Sequence, residues 1–212
     1  LAGVAAAWAI PPVPPPSPGL KLSWNVVRET WRNLVYLRGN RTVFLACLGV
    51  SWFWFFGSVY FVQLPNYARL VLGGDGNVFN LLLAVFSIGV ALGSMLCERL
   101  SGHTVEIGLV PFGSLGMTAF GIDIYFAHPE LAQVHGQGVA QLLAQPWMWR
   151  LLIDLALMAV FCGFFIVPLF ALVQSRTERS ELSRVIAGNN ILNAFFMVVS
   201  AGLGLGLTAL GL

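Results

Sequence analysis

The chain is short of charge. It has 11 lysines and arginines and 9 aspartates and glutamates in 212 residues, 9% in all, against 58% hydrophobic residues. Soluble domains carry about 25% charge. This many apolar side chains cannot be enclosed behind so little polar surface, so a water-soluble fold is excluded and the chain reads as a polytopic membrane protein. Histidine is scarce as well. His103, His128 and His135 lie in or beside connectors, without metal-ligand spacing. The cysteines Cys47, Cys97 and Cys162 sit singly inside apolar runs, with no Cys-x-x-Cys pair, and are expected to be small buried hydrophobes. No Gly-Lys-Ser/Thr phosphate loop, no neighbouring Ser-His-Asp set and no basic aromatic surface is present. No enzyme activity, cofactor, metal or nucleic-acid partner is therefore expected. No basic start precedes the first apolar run, so there is no signal-peptide pattern.

Long apolar runs are what the chain has in quantity. The organising stretch is 78–126, an apolar run, a short polar break and a second apolar run. About 20 residues at ~1.5 Å rise cross a hydrocarbon core of ~30 Å. Each run is long enough to span. The break, Glu98 to His103, is too short to hold a domain, so the two helices are expected to be antiparallel neighbours. Gly89 and Gly93 form a Gly-x-x-x-Gly pair, widened by Ala91 and Ser94, that lets helix backbones approach closely in lipid.

Five spans are expected, at 42–63, 78–97, 105–126, 147–173 and 186–212. Residues 1–10 are apolar but too short to span, and read as the tail of a truncated transmembrane helix. Residues 11–41 form a connector. Its prolines at 11, 12, 14, 15, 16 and 18 exclude a helix there. Ser23 is a candidate cap for a following helix that ends near Gly39. That helix sets Trp24, Val27, Trp31, Leu34 and Val35 against Asn25, Arg28, Glu29, Arg32 and Asn33. It is amphipathic, suited to the headgroup zone or to packing across the ends of the spans. Nine of the eleven bases fall in this connector, in the break after the second span, and in 174–185. Only Arg69 and Arg150 fall on the other side. The positive-inside rule places the long connector in the cytoplasm.

Polar groups inside spans are the candidate functional residues, because their burial is costly. Asn189, Asn190 and Asn193 enter the last span, with Asn189 and Asn193 on one face. They are candidates for a substrate path or for interhelical hydrogen bonds. Trp52 and Gln63 join the candidate path; for Trp52 the competing reading is core packing, as it is for Trp54. Asp123 and Asp154 are candidate ion or proton sites. Arg150, four residues before Asp154, predicts an in-helix ion pair; Asp123 has no sequence-local partner, and its position near the outer end of its span predicts a solvated carboxylate. Pro111 and Pro168 mark candidate bends.

The break also carries a resemblance. Gly93, Glu98, Arg99 and Gly102 resemble the Gly-x-x-x-Asp-Arg-x-Gly-Arg-type signature of major facilitator transporters. Glu stands for Asp, one extra residue lies on each side of the Glu-Arg pair, and His103 sits where a base is usual. The strings Cys97-Glu98-Arg99-Leu100-Ser101-Gly102, Val105-Glu106-Ile107-Gly108-Leu109-Val110-Pro111-Phe112-Gly113 and Arg184-Val185-Ile186-Ala187-Gly188-Asn189-Asn190-Ile191-Leu192-Asn193-Ala194 resemble the lysophospholipid-transporter branch. The resemblance runs from Asn40 onward. It implies an all-α membrane fold, a partial C-terminal bundle of about five transmembrane helices plus an interfacial helix, with 42–212 lacking its last helix and the N-terminal half absent. It assigns Glu98, Arg99, Gly93 and Gly102 to gating. It implies lysophospholipid transport in a bacterial inner membrane, with membrane lipid as partner and a fused or associated acyltransferase in some relatives. Alternatives are a membrane anchor or regulator of such an acyltransferase, and a facilitator for drugs or other small solutes.

Overall fold

The computed structural model describes Trp8 and residues 24–102, 104–127 and 135–209. The tail 1–10 apart from Trp8, the proline-rich stretch with Lys21 and Ser23, His103, His128 and the last residues of the final span lie outside the described residues.

The described elements are α1 (Val26–Arg38), α2 (Arg41–Asn66) with a π-helical turn (Tyr67–Val71), α3 (Gly76–Leu100), α4 (Leu109–Ala127), a short α5 (Val139–Leu143), α6 (Pro146–Ser175) and α7 (Leu182–Ala209). Among the described residues, five helices are long and apolar enough to cross a membrane. This is an all-α membrane protein; the described residues contain no strand.

The spans agree with the expected runs, but their ends are set by capping chemistry that hydropathy does not report. Asn40 and Asp75 accept hydrogen bonds from the first-turn N–H groups of α2 and α3, satisfying donors that a helix start leaves without partners. Asn25, two residues beyond the expected Ser23, caps α1 by accepting from Arg28 N at 2.9 Å. The second span stays helical through Leu100. Glu98 and Arg99 are thus its last turn, and the break begins at Ser101. The third span starts only at Leu109, which puts Pro111 in its first turn. There a missing N–H disrupts nothing, so Pro111 is no bend. Pro65, at the end of α2, does remove an interior donor, and the π-helical turn follows it.

Helix α6 is the axis of the bundle. It is the most deeply buried span, and α3, α4 and α2 all pack along it. The expected α3–α4 hairpin is corrected here: the two helices pack on α6 rather than along each other. Glycine causes this. A Cβ on Gly93 would stand 2.1 Å from the Val160 carbonyl oxygen, and one on Gly163 would stand 2.5 Å from Gly93 backbone. Gly113 and Gly116 of α4 meet Phe165 and Phe161 in the same way. The small-residue surfaces of both hairpin arms are used on α6, where backbones touch.

Helix α7 packs on the far side of α2, and α1 lies across their ends. Leu37 of α1 is buried with Val43, Cys47 and Val185. Gly188 faces Asn33 and Leu37. Arg184 sits 5.0 Å from the Tyr36 ring and 3.3 Å from the Glu181 carboxylate. Desolvation and the Glu181 carboxylate hold the Tyr36 phenol above its usual range. Along α1, Trp24, Val27, Trp31 and Val35 remain exposed and Leu34 is half-buried. One edge of α1 thus packs across the ends of the spans, and its tryptophan stripe faces outward.

At the opposite end, two connectors are tied together. Asp75 N donates to the Gln137 carbonyl at 3.0 Å and Gln137 N to the Gly73 carbonyl at 2.9 Å.

Candidate functional site

Because α2 and α4 each lean on α6, they stand apart, and the gap between them is an apolar cleft. It has two lobes. One, about 380 Å³, is lined by Tyr60, Gln63 and Tyr67 on the α2 side, Gly121 and Tyr125 on α4, and Leu155 on α6. The other, about 340 Å³, is lined by Trp52, Phe56 and Tyr60 on α2, Met117 and Gly121 on α4, and Phe165 on α6. Tyr60 and Gly121 belong to both. From Trp52 to Tyr67 is 15 residues, about 22 Å along a helix. That exceeds the ~15 Å hydrocarbon depth of one leaflet.

The walls carry little polarity. Gln63 and the Tyr67 hydroxyl mark the end near the α2–α3 connector. The Tyr67 hydroxyl is buried and has no hydrogen-bond partner, a condition that costs free energy unless a ligand or water supplies one. Trp52 and Gln63 thus share one cleft. The core-packing reading of Trp52 is corrected: the ring is 55% exposed and stacks on Phe55 at the cleft mouth. Trp54 is exposed too.

The asparagines lie elsewhere, between α2 and α7. Asn189 and Asn193 are buried and Asn190 is exposed, so the shared face points inward. Ser51 Oγ lies 2.8 Å from the Cys47 carbonyl oxygen and 2.9 Å from the Asn193 side-chain amide. A hydroxyl has one proton. Both contacts are hydrogen bonds when Ser51 donates to Cys47 and receives from the Asn193 NH₂, an orientation reached by turning the amide end for end. The Asn189 amide oxygen is buried without a hydrogen-bond partner. The structure joins Asn193 to Ser51, one residue from Trp52 but on another face of α2, and does not bring the asparagines into the cleft.

Asp123 is not the lone carboxylate the sequence implied. Arg150 of α6 donates to it across the α4–α6 interface. The in-helix pair is the weaker contact, with Arg150 Nε 3.9 Å from Asp154 Oδ2. No sequence spacing reports this triad, because it is made by packing between residues 27 apart.

At the other end, Cys97, Glu98, Ser101, Thr104 and Glu106 border a cavity of about 270 Å³ against Pro168 of α6. Glu98 and Arg99 are exposed, and Gly102 adopts φ +55° in the turn. Gly93 lies about two turns back, in the α3–α6 contact. The four signature-like residues are therefore split between a helix crossing and a connector.

No family model, no curated protein and no solved structure matches the chain.

Proposed function

We propose that the chain is part of a secondary transporter that moves lysophospholipid across or between the leaflets of a bacterial inner membrane by alternating access. The observation that carries this reading is the α2–α4 cleft. It is largely apolar, open at its side and longer than one leaflet's hydrocarbon, with Gln63 and Tyr67 lining one lobe and Ser114 and Thr118 the other. The Ser114 and Thr118 hydroxyls of the second lobe bond carbonyls of their own helix, whereas the Tyr67 hydroxyl has no partner, which suits one acyl chain with an oxygen-bearing group near Tyr67. The resemblance of 97–102, 105–113 and 184–194 to lysophospholipid transporters supports the same substrate class. Helix α6 provides the wall common to both lobes, so rocking α2 or α4 against it would open or close the path.

The test is uptake of headgroup-labelled lysophospholipid into vesicles carrying the full chain. Gly121 sits where the lobes join, with Tyr60 Oη 3.3 Å and Met158 Sδ 3.8 Å from the position of a Cβ. Gly121→Leu fills that junction. Uptake is expected to fall about tenfold, as for ~1.4 kcal/mol of lost binding, with thermal stability nearly unchanged. Full uptake by a folded Gly121→Leu variant removes the cleft from the path. A folded wild-type protein that moves no lysophospholipid supports the anchoring role instead.

A further inference from the structure

We infer that Asp123 and Asp154 form one proton-binding site, with Arg150 as its fixed counter-charge. Arg150 donates to Asp123 across the α4–α6 interface, and its Nε lies 3.9 Å from Asp154 Oδ2, so one guanidinium faces both carboxyl groups. A single guanidinium can neutralise only one of the two carboxylates. The charges agree: two carboxylates and one guanidinium leave a single negative charge inside a span, and one proton cancels it. Asp154 is 5% exposed, and its Oδ2 is buried with no hydrogen-bond partner. Protonated, it no longer leaves a charge in that buried position, and Arg150 remains paired with Asp123. Two carboxyl groups facing one cation retain a proton more readily than either alone, because like charges oppose the second ionisation.

The surroundings favour a proton over a metal ion. Among the described residues, the only charged groups acting on Asp154 are Asp123 and Arg150. The guanidinium would repel a metal cation from the same space. From α2, the uncharged Tyr60 hydroxyl faces Gly121, two residues before Asp123; on α4, Tyr125 follows two residues after it. Helix α3 carries Cys97, Glu98 and Arg99 only at its opposite end, with Asp75 at its N-cap bonded to the Asn77 and Val78 N–H groups. Helix α5 has no titratable side chain. Gly121, Ile124 and Tyr125, beside Asp123, and Leu151 and Leu155, beside Arg150 and Asp154, line the large cleft lobe. A proton entering or leaving the pair would change the charge of the wall between α4 and α6.

The inference stands apart from the transport reading, and its test does not use transport. Infrared spectra of the full chain in vesicles, recorded against pH, report the carbonyl stretch of a protonated carboxyl directly. At neutral pH the wild type is expected to show one such band. Asp154→Asn and Asp123→Asn should each abolish it, since either removes the surplus negative charge that the proton cancels. A second readout covers variants that fold poorly. A proton held in the folded state and released on unfolding makes stability fall as pH rises. The wild-type melting temperature should therefore fall as pH rises out of the ordinary carboxylate range, and Asp154→Asn should flatten that slope. A wild type with no protonated-carboxyl band at neutral pH overturns the proposal, as does a band and slope unchanged in both variants.

Discussion

Asn193 shows what a buried amide does when its nearest neighbour is a hydroxyl. Ser51 lies ten residues into α2 and Asn193 eleven into α7. The two helices run in the same direction from the end that α1 covers, so both groups sit about 15–17 Å in, near mid-membrane. At that depth each needs a partner within the protein. The sequence marked Asn189 and Asn193 as one inward face, and they are, but it left open whether the face served substrate or structure. Ser51 gives Asn193 a partner inside the bundle, and no spacing rule could have named it, because it lies on another helix 142 residues away. Asn193→Leu keeps the bulk and removes the amide. Thermal unfolding should show a loss of roughly 0.6–2 kcal/mol. Ser51→Ala and Asn193→Leu together should cost less than the two separately, since each removes the same bond. Strict additivity in that cycle would dissolve the pair. Asn193→Leu that abolishes uptake while leaving stability intact would return the residue to the substrate path.

For whole helices, hydropathy revealed the spans and small-residue spacing revealed a contact surface, but neither revealed the partner. Gly89 and Gly93 promised close packing, and the short break made α4 the obvious neighbour. Chain proximity and helix packing are separate constraints, however. A connector ties only the helix ends, whereas backbone contact extends along the crossing. Gly163 on α6 offers a complementary small surface to Gly93, while Gly113 and Gly116 turn α4 toward another part of α6. The hairpin arms straddle α6, and the lateral gap between α4 and α2 is what leaves room for the cleft. Gly93→Ala tests this arrangement. Its Cβ would meet backbone atoms that cannot rotate away, so α3 and α6 must separate, at a cost of roughly 1–3 kcal/mol. Gly202→Ala in α7 is the control, because nothing lies within 4 Å of that Cβ. Detergent melting curves should show a marked loss for Gly93→Ala and little change for Gly202→Ala. Equal effects would mean the α3–α6 crossing is looser than its glycines indicate.

Across the whole molecule, charge and folding give independent readings of which connectors share a side. The distribution of basic residues groups the long connector, the turn after α3 and the α6–α7 connector, and sets Arg69 and Arg150 on the other side. The fold reaches the same grouping without reference to charge. Contacts of Tyr36 with Glu181 and Arg184 bring α1 to the start of α7, and Thr104 and Glu106 lie against Pro168 toward the end of α6. On the opposite side, Gln137 binds backbone at Gly73 and Asp75. The helix count alone would permit either membrane orientation; the bias of arginines selects one. Cysteine labelling of the full chain in sealed vesicles tests both readings. Cys47, Cys97 and Cys162 are buried, so they should contribute little background to an impermeant thiol reagent. Arg179→Cys should react only from the cytoplasmic side and Gln137→Cys only from the other. Reaction of both from one side would break the five-span topology. A clean exchange of the two sides would leave the bundle intact and show that the arginine bias had been read with the wrong sign.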